Sequence, residues 1–486
     1  MQLPLITDST KQNVLIGETA VPIVASCDVL VAGGGSAGVA AAVSAARHGA
    51  KTLLIERNAF FGGVSTATMM ALAWAPFDSM TGLNKEIFST LISRGQAAVG
   101  PGVPFDHEGM KELYFQMIRD AGVRALVYSW VTDVIMDGDR VSGCVVQNKS
   151  GRQAILADVI IDATGDGDVS AWAGAEFVKG REEDGKMRPV TLLFRLGNVD
   201  VKRVADWAQD HPDEFLADKN INYIRRPDKL RPNAIEPDLG FVRLHGFFGL
   251  VEKGRQDGVL PEEVHYLRFE YVNFQHNTVL INTVRVYDID GTDAWQVSSG
   301  EAKAREQVRQ IEKFCREYVP GCESAFLVDT STMLGVRETR HVVGDYVMRD
   351  FDVYDDSPFL DAIYRNATYM PRYTEVHTPD GREGALDDLG NRTGAEYNRI
   401  ENSVPFSALL VKGREGLLIA GRPISADHKA DMVTRNIPVC IGMGQAAGTA
   451  AALSVAQGCS PRKLDISVLQ DTLVQDGVDI GLPSGG

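Results

Sequence analysis

Residues 27–56 read CDVLVAGGGSAGVAAAVSAARHGAKTLLIE. The apolar, β-rich run at 27–32 predicts a buried strand, and the alanine-rich run at 39–48 predicts a helix. A second apolar run at 51–55 predicts another buried strand. Because glycines separate the first strand from the helix, we expect one βαβ unit in which the two strands pair in parallel.

The turn between strand and helix carries the spacing Gly33-x-Gly35-x-x-Gly38, and Glu56 ends the next strand, 23 residues after Gly33. Gly33 permits a tight turn, Gly35 lets a pyrophosphate approach the backbone at the helix N-terminus, and Gly38 lets helix and sheet touch. An acid at position 56 can accept hydrogen bonds from ribose hydroxyls. This context predicts a dinucleotide site, with a purely structural glycine turn as the alternative.

Length and charge narrow the class of protein. The 486 residues exceed the roughly 250–300 at which one core stops growing, so we expect two domains. The net charge of −16 argues against a nucleic-acid partner or an anionic membrane surface. The six cysteines form no C-x-x-C pair, which fits a reducing cytoplasm and predicts neither a metal site nor a redox disulfide. The N-terminal segment does not have the pattern of a signal peptide.

Two uncharged stretches, at 29–46 and 436–461, are long enough to cross a membrane. Both contain several glycines, and the second begins with Asn436 and contains Gln445. We therefore expect a buried strand and buried helices rather than membrane insertion.

The remaining pattern predicts the domain organisation. Residues 84–121 predict two helices, and the runs at 124–134, 140–149 and 152–157 predict a small antiparallel meander followed by a buried strand at 159–162. Between about 176 and 401 charges, prolines and aromatics are interspersed, which indicates a different, β-rich unit.

Within that unit, 278–286 predicts a strand and Ser298–Glu301 predicts a capping box for a helix that ends before Pro320. A segment rich in glycine and alanine, like the one near the N-terminus, occurs again in the last eighty or so residues. We predict an α/β fold: a discontinuous Rossmann-type nucleotide-binding domain with a parallel sheet, helices and a small antiparallel meander, plus a mixed β-rich substrate domain. The predicted boundaries are 1–175, 176–404 and 405–486.

Four blocks of the sequence resemble the FAD-dependent oxidoreductase family of glutathione-reductase-like two-domain flavoproteins, which is related to the fumarate reductase and succinate dehydrogenase flavoprotein class. The blocks are VLVAGGGSAGVAAAVSAARHGAKTLLIERNAFFGG, IDATGDGDVSAWAGAEF, LGVRETRHVVGDYV and LLIAGRPISADHKADMVTRNIPVCIGMGQAAGTAAALSVAQG. They occur in the family's order and cover nearly the whole chain. The resemblance implies FAD as cofactor and a small-molecule substrate, without identifying that substrate.

The resemblance also implies which residues bind FAD. A turn at 444–448 would place a helix N-terminus toward the flavin pyrimidine, where it would stabilise negative charge on the reduced ring. The full predicted set is Gly33, Gly35, Ser36, Ala37, Gly38, Glu56, Arg57, Gly62, Gly63, Ser65, Thr164, Gly165, Asp166, Gly421, Arg422, Gly444, Gln445, Ala446 and Ala447.

Catalytic candidates come from polar runs near the expected flavin. We predict His428 as the base that takes a substrate proton during hydride transfer, with a structural histidine as the alternative. Arg337 and Arg340 could bind a substrate carboxylate or hold the domains together, and Arg435 lies in the loop before the flavin-facing helix. His276 is a weaker candidate.

Two segments of the sequence are candidates to cover or line the site. The stretch 369–397 resembles a lid or a surface loop, and 74–77 could line the site or simply pack.

We predict a dehydrogenase that transfers a hydride between a small organic substrate and flavin N5. An oxygen-using flavin oxidase or hydroxylase, or an electron-transfer subunit of a larger complex, remains an alternative. Only one nucleotide fingerprint is present, so we expect no resident nicotinamide domain; electrons would pass to small molecules or to an external acceptor protein. A homo-oligomer is possible.

Overall fold

The computed structural model describes residues 20–100, 102–215, 223–225, 241–273, 277–371, 379 and 397–482. The helices are α1 Ser36–Arg47, α2 Gly82–Ser93, α3 His107–Asp120, α4 Asp168–Trp172, α5 Val201–Asp210, α6 Phe248–Gln256, α7 Ala294–Tyr318, α8 His428–Thr434, α9 Ile437–Gln457 and α10 Ile466–Gln475. The strands are β1 Ile23–Ala32, β2 Thr52–Ile55, β3 Leu72–Ala73, β4 Val103–Pro104, β5 Arg124–Leu126, β6 Trp130–Asp137, β7 Arg140–Asn148, β8 Gly151–Asp162, β9 Phe177–Lys179, β10 Phe194–Gly197, β11 Tyr223–Arg225, β12 Phe241–Gly246, β13 Leu267–Asn273, β14 Thr278–Ile281, β15 Phe326–Thr330, β16 Arg340–Val342, β17 Ala362–Pro371, β18 Tyr397–Pro405 and β19 Leu417–Ile419.

The first sheet has the order β5-β2-β1-β8-β7-β6, and β19 also pairs with β8. Strand β1 runs parallel to both β2 and β8, with Val31 opposite Leu54 on one side and Ile161 on the other. The βαβ unit predicted from the sequence is therefore confirmed. Strand β19 adds a parallel pairing from the C-terminal part of the chain.

The predicted antiparallel meander is wrong in two places. The segment Arg124–Leu126 is a separate strand that pairs in parallel with β2. The runs at 152–157 and 159–162 form one continuous strand, β8, rather than two. Asp158 interrupts the apolar pattern, but it is exposed where the pairing with β7 ends and the pairing with β19 begins.

Helix α9 packs directly on α1 and is almost entirely buried. The sequence predicted a turn at 444–448 that leads into this helix, and that prediction is wrong: the helix begins at Ile437, after Asn436 as N-cap. Gly444 lies inside the helix, where an added Cβ would be 2.1 Å from the carbonyl oxygen of Ala37. Among the residues described, α9 is the one helix long and apolar enough to cross a membrane, and most of it is buried against the protein.

A second sheet, β11-β12-β13-β14-β10-β15, is antiparallel. Its apolar side chains form a core with those of α5, α6 and α7. The predicted capping box at Ser298 is wrong, because α7 begins at Ala294 and Asp293 caps it by accepting from the backbone N–H groups of Trp295 and Gln296. The predicted strand at 278–286 is also shorter, since β14 ends at Ile281.

Three pairs of short or peripheral strands, β3-β4, β9-β16 and β17-β18, complete the described structure. The domain boundaries at 175/176 and 404/405 remain predictions.

Candidate functional site

One cleft lies between the two large sheets and is lined by segments that follow strands of the first and by strands of the second. It encloses about 1820 Å³ between protein atoms, including the part open to solvent. On one side lie the segments that follow the carboxyl ends of β1, β2, β8 and β19; on the other lies one face of the antiparallel sheet. In open α/β sheets this carboxyl edge is where ligands bind.

The glycine turn after β1 has the shape that a dinucleotide needs. Gly33 has a φ of +100°, and a Cβ there would be 2.3 Å from the carbonyl oxygen of Ala163. By contrast, a Cβ at Gly35, the N-cap of α1, would meet no atom within 4 Å. The backbone at the start of α1 is thus open to the cleft and can take the pyrophosphate of a dinucleotide.

Glu56 is buried at the cleft wall and is held by the turn itself. Its Oε2 accepts a hydrogen bond from the Gly34 N–H at 2.7 Å, and its Oε1 accepts from the backbone N–H and side-chain amide of Asn58, both at 2.7 Å. The neighbouring Arg57 guanidinium lies 5.3 Å from the centre of the Trp130 ring. These contacts fix the acid where the fingerprint requires it.

A second turn supports the first. The Gly62 N–H donates to the Gly34 carbonyl oxygen at 2.8 Å, and Gly63 approaches Gly35 closely. The Ser36 hydroxyl lies 3.2 Å from the Ser65 hydroxyl. Gly63 lines the cleft, whereas Gly62 and Ser65 lie behind its wall.

The predicted block at 164–166 also reaches the cleft. Buried Asp162 accepts hydrogen bonds from the backbone and hydroxyl groups of both Thr164 and Ser170, which fixes the turn after β8. Arg422, which follows β19, donates to the Gly165 carbonyl oxygen at 2.7 Å and to Asp166 at 2.5 Å. The ends of β8 and β19 are thereby tied together at the cleft.

Seven residues of the predicted cofactor set do not line the cleft: Gly38, Gly62, Ser65, Gly444, Gln445, Ala446 and Ala447. Gly38 and Gly444 permit close backbone contacts, and the Gln445 side chain accepts from the Leu83 N–H at 2.8 Å. Since α9 begins earlier than predicted, the helix N-terminus at the cleft is formed by Asn436 and Ile437 instead.

Only two of the four predicted catalytic residues lie at the cleft. Arg337 and Arg435 line the cleft, but Arg340 and His428 do not. Arg340 donates to Asp168 at 2.8 Å and to the Asp166 carbonyl oxygen at 2.9 Å, so it joins elements rather than facing a substrate.

His428 lies in a buried polar cluster. Asp427 caps α8 by accepting from the Ala430 N–H, which places His428 at the first position of the helix. Its Nδ1 lies 2.7 Å from Oε1 of Glu338, and His341 contacts the same oxygen at 2.9 Å. Burial alone would raise the pKa of Glu338, but the hydrogen bonds of His341 and His428, together with the positive charge of Arg188, hold it below its ordinary value. The cluster favours the structural-histidine alternative over a cleft-facing base.

Polar residues of the second sheet that the sequence analysis did not single out line the cleft. They are Arg243 and His245 on β12, Arg268 and Glu270 on β13, and Asn282 after β14. All five side chains are buried. A signal was present in the sequence: the charged residues alternate with apolar ones, as RLH at 243–245 and RFE at 268–270, which places them on one face of neighbouring strands.

Glu270 is the centre of this group. Its Oε2 lies 3.0 Å from Arg243 Nε and 3.4 Å from His245 Nε2, and its Oε1 accepts from the Asn282 amide at 3.3 Å. Burial alone would raise the pKa of Glu270, but the positive charge of Arg243 and its neighbours lowers it well below the ordinary value. Burial, and then Arg243, lowers the pKa of His245 to about 3, so this imidazole is neutral at physiological pH.

Trp74, predicted as a possible lining residue, does line the cleft. Its indole N–H donates to the Tyr369 carbonyl oxygen at 2.6 Å, and the Arg243 guanidinium lies 4.2 Å from the centre of its ring. His276 and nearly all of the predicted lid beyond residue 371 lie outside the described residues.

A glycine turn, a strand-end acid and a helix N-terminus around one cleft define a dinucleotide-binding protein of the Rossmann type. The chain belongs to the family described as FAD dependent oxidoreductase, whose model matches residues 28–473. FAD is therefore its cofactor, and the open backbone at Gly35 and the buried acid Glu56 fit that cofactor.

Comparison with known proteins gives partial matches. The chain is 30% identical to a digeranylgeranylglycerophospholipid reductase of Picrophilus torridus over 30% of this chain and 41% of the relative. It is 31% identical to a thiamine thiazole synthase of Methanococcus vannielii over 28% of this chain and 56% of the relative. These curated relatives are thus matched over about half of their length or less.

Among solved structures, one match is a geranylgeranyl bacteriochlorophyll reductase-like protein of Thermoplasma acidophilum. It has 14% identity, a TM-score of 0.47, and coverage of 94% of this chain and 85% of that one. The p-nitrophenol 4-monooxygenase of Pseudomonas putida has 11% identity and a TM-score of 0.48, with coverage of 93% and 88%.

Proposed function

We propose that this FAD-dependent oxidoreductase is a dehydrogenase that transfers a hydride between a small organic substrate and the flavin. One observation carries the proposal: the fingerprint turn at Gly35 and the polar face around Glu270 line the same cleft. A cofactor held by the first wall would therefore face a substrate held by the second. Bound FAD supplies the hydride acceptor or donor.

We assign cofactor binding to one wall of the cleft and substrate binding to the other. Gly35 and the first turn of α1 would hold the pyrophosphate, and Glu56 the ribose hydroxyls. Asn436 and Ile437 line the cleft at the start of α9, where a helix end favours negative charge. The substrate side would be contributed by 176–404, the segment predicted to form the second domain.

His245 lines the cleft 3.4 Å from Glu270, and its proposed role is to position the substrate as a neutral imidazole. Burial lowers its pKa to about 3, so it is too weak a base to take over the proton-accepting role predicted for His428. Cys440 also lines the cleft, but burial raises its pKa to about 12, so it is a neutral thiol and a poor nucleophile.

The test is anaerobic mixing of the FAD-loaded protein with hydroxy acids, polyols, amines and enoates, followed at the flavin absorption band. If the enzyme oxidises its substrate, at least one of the hydroxy acids, polyols or amines should bleach the flavin without oxygen. If it reduces its substrate, an enoate should instead reoxidise the flavin of chemically reduced protein. His245→Gln should slow this step, and the exposed Arg305→Gln on α7 is the matched control.

Oxygen reactivity separates the proposal from the oxidase or hydroxylase alternative. The reduced protein should reoxidise slowly when mixed with air. Reoxidation within milliseconds would contradict a dehydrogenase. Protein that retains no FAD at all would contradict the assignment of the cleft.

A further inference from the structure

The charge of the cleft differs in sign from that of the chain. Among the described residues that line it, six are arginines and three are acids, Glu56, Asp166 and Glu270. The chain as a whole carries a net charge of −16. A positive cleft in an acidic protein attracts and holds anions.

Half of these arginines belong to the cofactor side. Arg57 lies against the Trp130 ring, Arg422 pairs with Asp166, and Arg435 lies 3.3 Å from the Asp431 carboxylate. The two phosphates of a bound dinucleotide would add negative charge on this side. The positive charge that a substrate would meet must therefore come from the opposite wall.

The opposite wall holds three arginines against one carboxylate. Arg243, Arg268 and Arg337 are 8%, 6% and 7% exposed, and Glu270 is 4% exposed. His245 adds no positive charge, because it is neutral at physiological pH. Among the described lining residues, this wall therefore carries a formal charge of +2 in a buried setting.

We infer that this wall binds a substrate carboxylate through Arg243, Arg268 and Arg337; the inference deepens the proposed function and rests on it. Buried like charges repel, and an anion between them offsets both their repulsion and their loss of hydration. A guanidinium presents paired N–H donors that match the two oxygens of a carboxylate.

The geometry keeps these arginines in place. Arg243 is held between the Trp74 ring at 4.2 Å and Glu270 at 3.0 Å, and Arg268 donates to the Tyr266 hydroxyl at 3.1 Å. Arg337 donates to the Pro189 carbonyl oxygen at 2.5 Å. Side chains held in this way lose little freedom when a ligand binds.

The wall next to the arginines is apolar. Met70, Leu72 and Leu193 line the same cleft. A ligand with a carboxylate at one end and a carbon skeleton beyond it would place each part against a matching surface. The substrate class is therefore a small organic carboxylate.

The test uses the FAD-loaded wild-type protein and matched ligand pairs. Benzoate, succinate and lactate are titrated beside benzamide, succinamide and lactamide, with phenyl phosphate as a separate arm; binding is followed by calorimetry and by the flavin difference spectrum. We expect at least one carboxylate to bind about 10- to 100-fold more tightly than its amide. Its affinity should fall as sodium chloride is raised, whereas amide binding should not.

Variants then locate the site. Arg243→Gln and Arg268→Gln should each weaken carboxylate binding about 10-fold or more, weaken amide binding much less, and leave FAD content unchanged. Arg268→Lys, which keeps the charge, should retain part of the affinity. The exposed Arg305→Gln should bind as the wild type does.

Each outcome of these experiments supports or contradicts the carboxylate inference, the proposed function, or both. If FAD is retained but no carboxylate binds better than its amide, the inference is wrong while the proposed function stands. Tighter binding of phenyl phosphate than of every carboxylate would overturn the assignment to carboxylates. Protein without FAD would overturn both proposals. If a glutamine variant fails to fold, the wild-type comparison of carboxylate with amide still decides.

Discussion

Gly444 in α9 lies so close to Ala37 in α1 that a Cβ on the glycine would be 2.1 Å from the Ala37 carbonyl oxygen. Gly448 has the same relationship to Ala41, one turn further along both helices. The first turn of α1 lines the FAD cleft. The distance between these two helices therefore fixes the position of the backbone that faces the cofactor.

Gly444→Ala should lower the stability of the protein. An alanine in a helix interior normally gains about 1 kcal/mol over glycine, but here the added methyl group meets backbone that cannot move without separating the helices. We expect a net loss of about 1–3 kcal/mol, with less FAD retained, measured by thermal unfolding and released flavin. Gln457→Ala at the exposed end of α9 is the control. A variant more stable than the wild type would contradict this packing.

Glu56→Gln should weaken FAD binding. Both carboxylate oxygens accept backbone N–H groups, and the amide would turn one acceptor into a donor that faces the N–H of Gly34 or Asn58. We expect about a 10-fold or larger increase in the dissociation constant, measured by titrating apoprotein with FAD and following flavin fluorescence. Glu86→Gln, at an exposed pair with Arg47, should bind FAD normally.

His245 should make stability depend on pH between 6.5 and 5. Its folded pKa of about 3 lies below the ordinary 6.5, so below pH 6.5 the unfolded chain binds a proton that the folded chain does not. The free energy of unfolding therefore decreases as the pH is lowered, by up to about 1.4 kcal/mol per pH unit. Glu270 adds nothing in this window, because its pKa is lower than the ordinary 4.5 and it is ionised in both states.

Urea unfolding of the wild type and His245→Gln at several pH values measures this effect. The difference in unfolding free energy between the two should change by about 1–2 kcal/mol from pH 6.5 to 5, with the wild type losing more. Parallel curves would mean that folding does not lower the pKa of His245, and would contradict its burial as a neutral imidazole.

Glu338→Gln should be strongly destabilising, although Glu338 lies outside the cleft. The carboxylate is almost completely buried and contacts His428, His341 and the Arg188 N–H. Removing one charge of such a cluster costs about 3–5 kcal/mol, visible as a lower unfolding midpoint. Glu323→Gln, at an exposed pair with Arg203, should cost no more than about 1 kcal/mol. Similar midpoints for the two variants would contradict the role given to the cluster.

The βαβ unit of the nucleotide-binding part could be predicted from the sequence because the residues that determine it are close together along the chain. The spacing from Gly33 to Glu56 and the apolar runs around it determine a strand, a turn, a helix and a second strand. The error at Gly444 has a physical origin: glycine that breaks a helix and glycine that lets two helices touch look alike without the partner helix in view.

The substrate wall was harder to predict because it depends on contacts between distant segments. Arg243 and Glu270 are 27 positions apart and meet only when β12 and β13 pair. Their alternation with apolar residues predicts a strand with one polar face, but such a face is more often exposed to water than buried in a cleft. The position of His428 outside the cleft could not be predicted for a related reason, since its partner Glu338 is 90 positions away.

The contact between α1 and α9 also has a consequence for protein synthesis. Helix α1 leaves the ribosome several hundred residues before α9, a delay of about 20–80 s at roughly 5–20 residues per second. During that time the face of α1 that α9 will cover has no partner, and its pairing with a distant segment makes this part of the fold slow to form. The nascent chain therefore carries a nucleotide fingerprint that becomes a complete binding site only after the final long helix has emerged.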